Sequence, residues 1–258
     1  TFTSPIPDDS HSMHFATALQ SSTGGRDKNQ DDADHFAQDG LEGWILADGL
    51  GGHRGVGLAS SLATEAMRDT CCDRGDPSGD TIAAAAQAAQ DRIHERQQQA
   101  PKYGRMRTTF VLLLADPEAG RARWGHAGDS RLYHFRDGAI ANRTKDHSVV
   151  QALVDAGELD PEDQRDHDAS HRILRALGDA DAANPDVTDD PVSVRPGDAF
   201  LLCSDGFWEG VVEDTMLKHL ATADTPDDWL DDMVAHIEQG ADEEQDNFTA
   251  VAVFVAGA

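Results

Sequence analysis

The sequence predicts an α+β fold in which antiparallel sheets pack together with helices outside them. Two observations point there. The elements come in blocks (strands, two helices, a run of strands, more helices, a last strand) and never alternate as the βαβ units of a parallel sheet would. The helical segments are apolar on one face only, as expected of helices lying against a sheet. No internal repeat and no linker interrupts the 258 residues, so residues 1–258 read as one domain.

Residues 1–12 read as a flexible tail. His14–Leu19 is a first strand, and Gly24–Asp32 is a loop crowded with functional groups. Asp34–Ala37 forms a short strand and Asp39-Gly40 a turn, before the apolar strand Trp44–Ala47 stops at Asp48-Gly49-Leu50-Gly51-Gly52-His53. A helix over Val56–Thr70 follows, with Leu58, Ala59, Leu62, Ala63, Ala66 and Met67 on its buried face. Asp80 is expected to cap a second helix, Thr81–Gln99, rich in the strong helix former Ala, and Pro101–Arg107 ends it. Thr108–Ala115, Ala122–His126, Leu132–Phe135 and Ala139–Arg143 are strands joined by tight turns, which suggests a meander.

Asp146-His147-Ser148 opens a short helix, with His147 expected to cap it. The polar, weakly periodic stretch Glu158–Asp190 is long for a loop inside a compact domain and reads as a flap. Phe200–Ser204 is an apolar strand running into Asp205-Gly206. Helices over Glu213–Ala223 and Asp227–Gln239 and a strand over Phe248–Val255 complete the chain.

Composition narrows the function. The net charge of −27 argues against a nucleic-acid partner and against an anionic membrane surface, both of which need a basic face. No apolar run approaches the roughly 20 residues that span a bilayer. Cys71 and Cys72 are adjacent, and no Cys-x-x-Cys spacing occurs, which suits a reducing cytosol and a cytoplasmic protein. Much of the acidity is a solvated surface of the kind a salt-adapted organism carries. A minority of the acids can build a cation site.

Asp48, Asp129, Asp205 and Asp246 are the candidates. Each is placed where an apolar strand meets a turn, and four such acids at one rim repel one another unless cations intervene. Oxygen donors without cysteine or paired histidine favour hard ions, Mg²⁺ or Mn²⁺. Two ions about 3.5–4 Å apart can activate a water between them for attack on a phosphoester. Arg26 is a natural partner for the phosphate oxygens.

Five motifs then occur in register: Arg26-x-x-Asn29-x-Asp31, Asp48-Gly49-x-Gly51-Gly52-His53, Gly128-Asp129-Ser130-Arg131, Ser204-Asp205-Gly206 and Asp246-Asn247-x-Thr249. In this the chain resembles the protein phosphatase 2C-like, metal-dependent Ser/Thr phosphatases, and within them the bacterial branch. The resemblance implies a central β-sandwich of two antiparallel sheets flanked by helices, in α-β-β-α layers. It implies a hydrolase of phosphoserine and phosphothreonine in proteins, acting through a water between two Mn²⁺ or Mg²⁺ ions.

On that likeness Asp48, Asp205 and Asp246 are the catalytic acids. Asp205 bridges both ions, Asp48 and the Gly49 carbonyl ligate at the pair, and Asp246 completes the first site. Asp129 holds a third, weaker ion with Asp205, and Arg26 binds the substrate phosphate. Gln30, Asp31 and Asn247 support these groups from behind. Gln30 stands where many relatives carry Glu, so it can orient water but adds no charge. Leu50 stands where eukaryotic relatives place a histidine that protonates the leaving group, which leaves the general acid unassigned. His53 and His126 read as structural, and Trp208 is expected to pack under the metal loop. The resemblance further implies phosphoprotein partners, a Ser/Thr kinase to oppose, and a monomer. The alternative, a catalytically inactive signalling or scaffold domain of the same fold, is disfavoured by the intact set of acids.

Overall fold

The computed structural model describes residues 12–50, 56–165, 167–180, 183–240 and 245–257. The expected tail (apart from Ser12), the Gly51-Gly52-His53 stretch, and Asp166, Asp181 and Ala182 of the expected flap lie outside the described residues.

The strands are β1 (His14–Ser22), β2 (Asp31–Gln38), β3 (Leu41–Leu50), β4 (Arg107–Thr108), β5 (Phe110–Asp116), β6 (Arg121–Ala127), β7 (Arg131–Arg136), β8 (Ala139–Arg143), β9 (Asp186–Val187), β10 (Val192–Ser193), β11 (Ala199–Cys203) and β12 (Phe248–Ala256). The helices are α1 (Val56–Arg74), α2 (Gly79–Gln99), α3 (Val149–Asp155), α4 (Asp205–Trp208), α5 (Glu213–Leu220) and α6 (Pro226–Gly240). One sheet runs β1-β12-β11-β7-β8. The other runs β10-β6-β5-β3-β2, with β4 against the end of β3 and β9 beside β6. All these pairings are antiparallel.

The apolar runs are continuous because the central strands are buried on both faces. Side chains alternate across a strand, so in β3 Trp44 and Leu46, with Val111 and Leu113 of the neighbouring β5, face the opposite sheet and pack on Phe200, Leu202, Val251 and Val253. Ile45 and Ala47 face outward onto Ala63, Met67, Ile82 and Ile93 of α1 and α2. On the far side, Tyr133, Phe135, Leu201 and Ala250 are covered by Trp229, Met233 and Ile237 of α6. The result is the α-β-β-α sandwich expected from the sequence. Burying each of the larger aliphatic side chains contributes roughly 1.5–3 kcal/mol.

Four local expectations are corrected. The four middle strands are not a meander: β5 and β6 form a hairpin in one sheet and β7 and β8 a hairpin in the other. The crossing is made at Gly128, which has φ +109, a conformation L side chains rarely adopt. A Cβ there would meet Thr109 Cγ2 at 2.5 Å. Second, β3 does not end at Ala47 but continues through Asp48 to Leu50, with Asp48 opposite Asp31 and Gly49 opposite Thr108. Third, α2 is capped by Ser78, whose Oγ accepts from Thr81 N–H, leaving Asp80 as a first-turn acid beside the positive end of the helix dipole. Fourth, Ser148 rather than His147 caps α3.

Candidate active site

The loop before β2, the end of β3 and the junctions β11–α4 and 245–248 meet at one end of the sandwich around a cavity of about 560 Å³. Its wall includes Arg26, Gln30, Asp48, Gly49, Asp205, Asp246 and Asn247, and on the flap side His171 and Ile173. Local chemistry fixes each acid. Asp48 is held by its strand: its N–H donates to Thr109 Oγ1 (3.1 Å), and its carbonyl accepts from Thr109 N–H (2.8 Å) and Thr108 Oγ1 (2.7 Å). Asp205 opens α4, a turn of helix that sequence reading missed because four residues carry too little periodicity. Its neighbour Gly206 passes so close to the 245–248 segment that a Cβ would fall 2.1 Å from Asn247 O, so only glycine lets the two carboxylate-bearing junctions approach.

Asp129 is placed differently. It is 2% exposed, lies behind the wall, and its Oδ1 has no hydrogen-bond partner among the described residues. Trp208 packs beneath it, donating from Nε1 to the Asp129 carbonyl (2.9 Å) with Arg131 stacked 3.5 Å over the indole ring. Asp31, expected to act from behind, is drawn fully into the carboxylate group. It faces Asp48 across the β2–β3 ladder and accepts from Ser204 Oγ (2.9 Å), while its Oδ1 has no hydrogen-bond partner among the described residues.

The electrostatic outcome is frustrated. Burial pushes the Asp31 carboxyl up to about 6, with Asp205 adding to it. Burial, then the charges of Asp31, Asp205 and Asp129, holds Asp48 well above the usual carboxylate range. Burial and Asp205 do the same to Asp129, and burial with Asp246 raises Asp205. An unpaired buried oxygen costs about 1–3 kcal/mol, more when charged. Carboxylates with orphaned oxygens, no cysteine and a backbone carbonyl at hand are the donor set of hard divalent cations, so the residues fit Mn²⁺ or Mg²⁺. For Asp129→Asn we expect both core ions to stay bound, with only the weaker ion lost. A manganese count by elemental analysis after desalting checks this, and loss of all manganese would contradict it.

Asn247 organises the Arg26 loop. Its Nδ2 donates to the carbonyls of Thr23 (2.8 Å) and Lys28 (3.0 Å), and its Oδ1 accepts from Gln30 N–H (2.8 Å). Arg26 itself pairs with Asp246, Nη2 to Oδ2 at 3.0 Å, both side chains being about half exposed. An exposed pair of this kind contributes about 0–1 kcal/mol, so a phosphate can draw Arg26 away at little cost.

The 158–190 segment is irregular yet fastened. Leu177 exchanges two backbone hydrogen bonds with Thr108 (3.0 and 2.9 Å), and Gln90 and Gln97 of α2 bind Gly178. Arg165 donates to the carbonyls of Trp208 (2.6 Å) and Glu209 (3.2 Å) and to Glu213 Oε2 (3.0 Å). His126 donates from Nε2 to the Lys145 carbonyl (2.8 Å) and stacks on His147, whose Nδ1 accepts from Gly128 N–H (3.1 Å). Both rings are occupied by structure, and burial lowers the pKa of each. His171 gave no signal in the sequence, because a lone histidine in a polar loop has no periodic or motif context.

Comparison with known proteins agrees with this geometry. The family profile of protein phosphatase 2C matches residues 21–246. The Ser/Thr protein phosphatase PstP of Mycobacterium tuberculosis is 37% identical over 178 residues, covering 68% of this chain and 33% of that protein, so the match spans about a third of the relative's length. The protein phosphatase PhpP of Streptococcus pneumoniae is 32% identical over 206 residues, 78% of this chain and 81% of the relative. Among solved structures, the catalytic domain of PstP in complex with two manganese ions superposes with a TM-score of 0.79 at 30% identity, covering 95% of this chain and 99% of that one. By the extent of the profile match and the shared fold, this chain belongs to the protein phosphatase 2C family.

Proposed function

We propose that the chain is a metal-dependent phosphatase that hydrolyses phosphoserine and phosphothreonine in proteins. The observation that carries this is the set of buried, mutually repelling carboxylates at the floor of one cavity with a guanidinium at its rim. Asp48, the Gly49 carbonyl, Asp205 and Asp246 would hold two Mn²⁺ or Mg²⁺ ions, and Asp129 with Asp205 a third. When bound, the ions supply a nucleophilic water at neutral pH and neutralise phosphate charge.

The chain's own residues do the rest. Arg26 swings from Asp246 to the phosphate oxygens and orients the ester by charge-assisted hydrogen bonds. Gln30 presents an amide to the cavity and through its backbone carbonyl anchors Gly49 N–H (3.1 Å), which fixes the strand end that carries Asp48. Asn247 holds the Arg26 loop in register. Leu50 lines the cavity with no proton to give, so the leaving alkoxide is not protonated from that position. Residues 1–258 act as one catalytic domain in this reading, with 158–190 as the flap. A cytoplasmic monomer opposing a Ser/Thr kinase is the setting proposed for it.

Phosphate release from phosphothreonine and phosphotyrosine peptides, with and without Mn²⁺, tests the reading. Release from phosphothreonine only, and only with metal, is the expected result; metal-independent release would sink it. For Arg26→Ala we expect KM for a phosphothreonine peptide to rise about tenfold, the loss of one charge-assisted contact of about 1.4 kcal/mol, with a smaller fall in kcat. Steady-state kinetics separates the two. A fall in kcat at constant KM would mean that Arg26 acts chiefly on the transition state.

A further inference from the structure

Glu209 follows Asp205 by one helical turn, its N–H donating to the Asp205 carbonyl (2.9 Å), so the two carboxylates rise from the same side of α4. The Glu209 side chain is about two-thirds buried, and among the described residues no hydrogen-bond donor reaches its carboxylate. His171 of the 158–190 segment stands beside it, with Nδ1 3.6 Å from Glu209 Oε1. One ligand atom each from His171, Asp205 and Glu209 lies within 4.8 Å of the other two. Ligands at about 2.0–2.2 Å from one ion stand roughly 3–4 Å apart, so small side-chain rotations close this triad around a cation. Neither Asp48 nor Asp129 nor Asp246 belongs to it.

A second observation bears on the same place. Arg165, from the same segment, clamps the end of α4 by its bonds to the Trp208 and Glu209 carbonyls and to Glu213. That docking brings His171 to the cavity wall while leaving its ring 71% exposed and open to an ion from solvent.

We infer that His171, Asp205 and Glu209 form a further cation site that takes Mn²⁺ or Zn²⁺ in preference to Mg²⁺ and clasps the 158–190 segment to α4. The selectivity follows from the donors. An imidazole nitrogen suits the later first-row ions, whereas Mg²⁺ demands oxygen ligands in a rigid octahedron. The consequence is regulatory: with the site filled, His171 and Ile173 are fixed at the mouth of the cavity, and with it empty the segment keeps only its metal-independent ties, among them Arg165, the Leu177 pairing and the bonds of Gln90 and Gln97 to Gly178. The inference rests on the proposed function in sharing Asp205, which that reading also gives to the core ions and, with Asp129, to the third ion.

The test titrates MnCl₂ into protein held in excess Mg²⁺ and counts bound Mn²⁺ by electron paramagnetic resonance of the free ion. Wild type is compared with His171→Ala and Glu209→Gln. His171 is exposed, so its truncation leaves the core packing untouched. Wild type should bind one Mn²⁺ more than either variant. At about ten times Kd, Mn²⁺ should slow tryptic cleavage at Arg165, Arg172 and Arg175 about tenfold in wild type and leave both variants unprotected. Equal counts, or equal protection in wild type and variants, would overturn the site. Hydrolysis of p-nitrophenyl phosphate by wild type in Mg²⁺ alone, measured in parallel, tests the proposed function separately.

Discussion

Asp205→Asn should lower kcat/KM for an aryl phosphate in Mn²⁺ by about 10³-fold or more, because it removes the carboxylate proposed to bridge both ions. Losing several kcal/mol of transition-state charge stabilisation corresponds to a factor of that size. The same substitution should raise the thermal stability of the metal-free protein. Asp205 is half-buried beside Asp48, Asp129 and Asp246, and each of these acids is raised, or raises another, by the crowding. Removing one charge relieves the others. Opposite signs in the two assays set a mechanistic loss apart from unfolding. A variant that loses both activity and stability would show that Asp205 acts as a packing residue.

Removing metal should cost stability most at high pH. For Asp31 the folded-state value lies at about 6, above the ordinary 3.8. A carboxyl raised on folding binds its proton more tightly in the native state, so its contribution is fully present below about 3.8 and lost as pH rises through about 6. Asp48, Asp129 and Asp205 shift in the same direction. EDTA-treated protein should therefore melt lower at pH 8 than at pH 5.5, and Mn²⁺ should reverse this at pH 8. At a hundredfold excess over Kd, one ion adds about 2.7 kcal/mol, worth about 5–10 °C in Tm for a domain of this size. Differential scanning fluorimetry at the two pH values decides it. A metal-free protein equally stable at both, and unmoved by Mn²⁺, would rule out a frustrated carboxylate cluster.

Parts of the site were legible because local chemistry marks them. Asp48 and Asp205 follow apolar runs and precede glycine, and Asp246 precedes an asparagine and the last strand. Asp31 was harder to weigh. It sits in Asp31-Asp32-Ala33-Asp34, where alternation alone cannot say which acid faces inward. The register that puts Asp31 opposite Asp48 decides it, and that register is a property of β2 and β3 together. Arg26 was identifiable as a phosphate partner, but its pairing with Asp246, 220 positions away, was not. The meander was misread for the same reason. Turn residues report that the chain reverses, but not that β7 joins the other sheet after Gly128, whose backbone there passes too close to Thr109 for a Cβ.

The sequence by itself determined the longer elements, the faces they bury and the acids that could bind cations, since each is written in spacing and residue type over a few positions. The tertiary structure decided which sheet each strand joins, which acids lose water, and that His171 meets Glu209. Those outcomes depend on desolvation and on contacts between residues far apart in the chain, and neither leaves a periodic trace in the order of the residues.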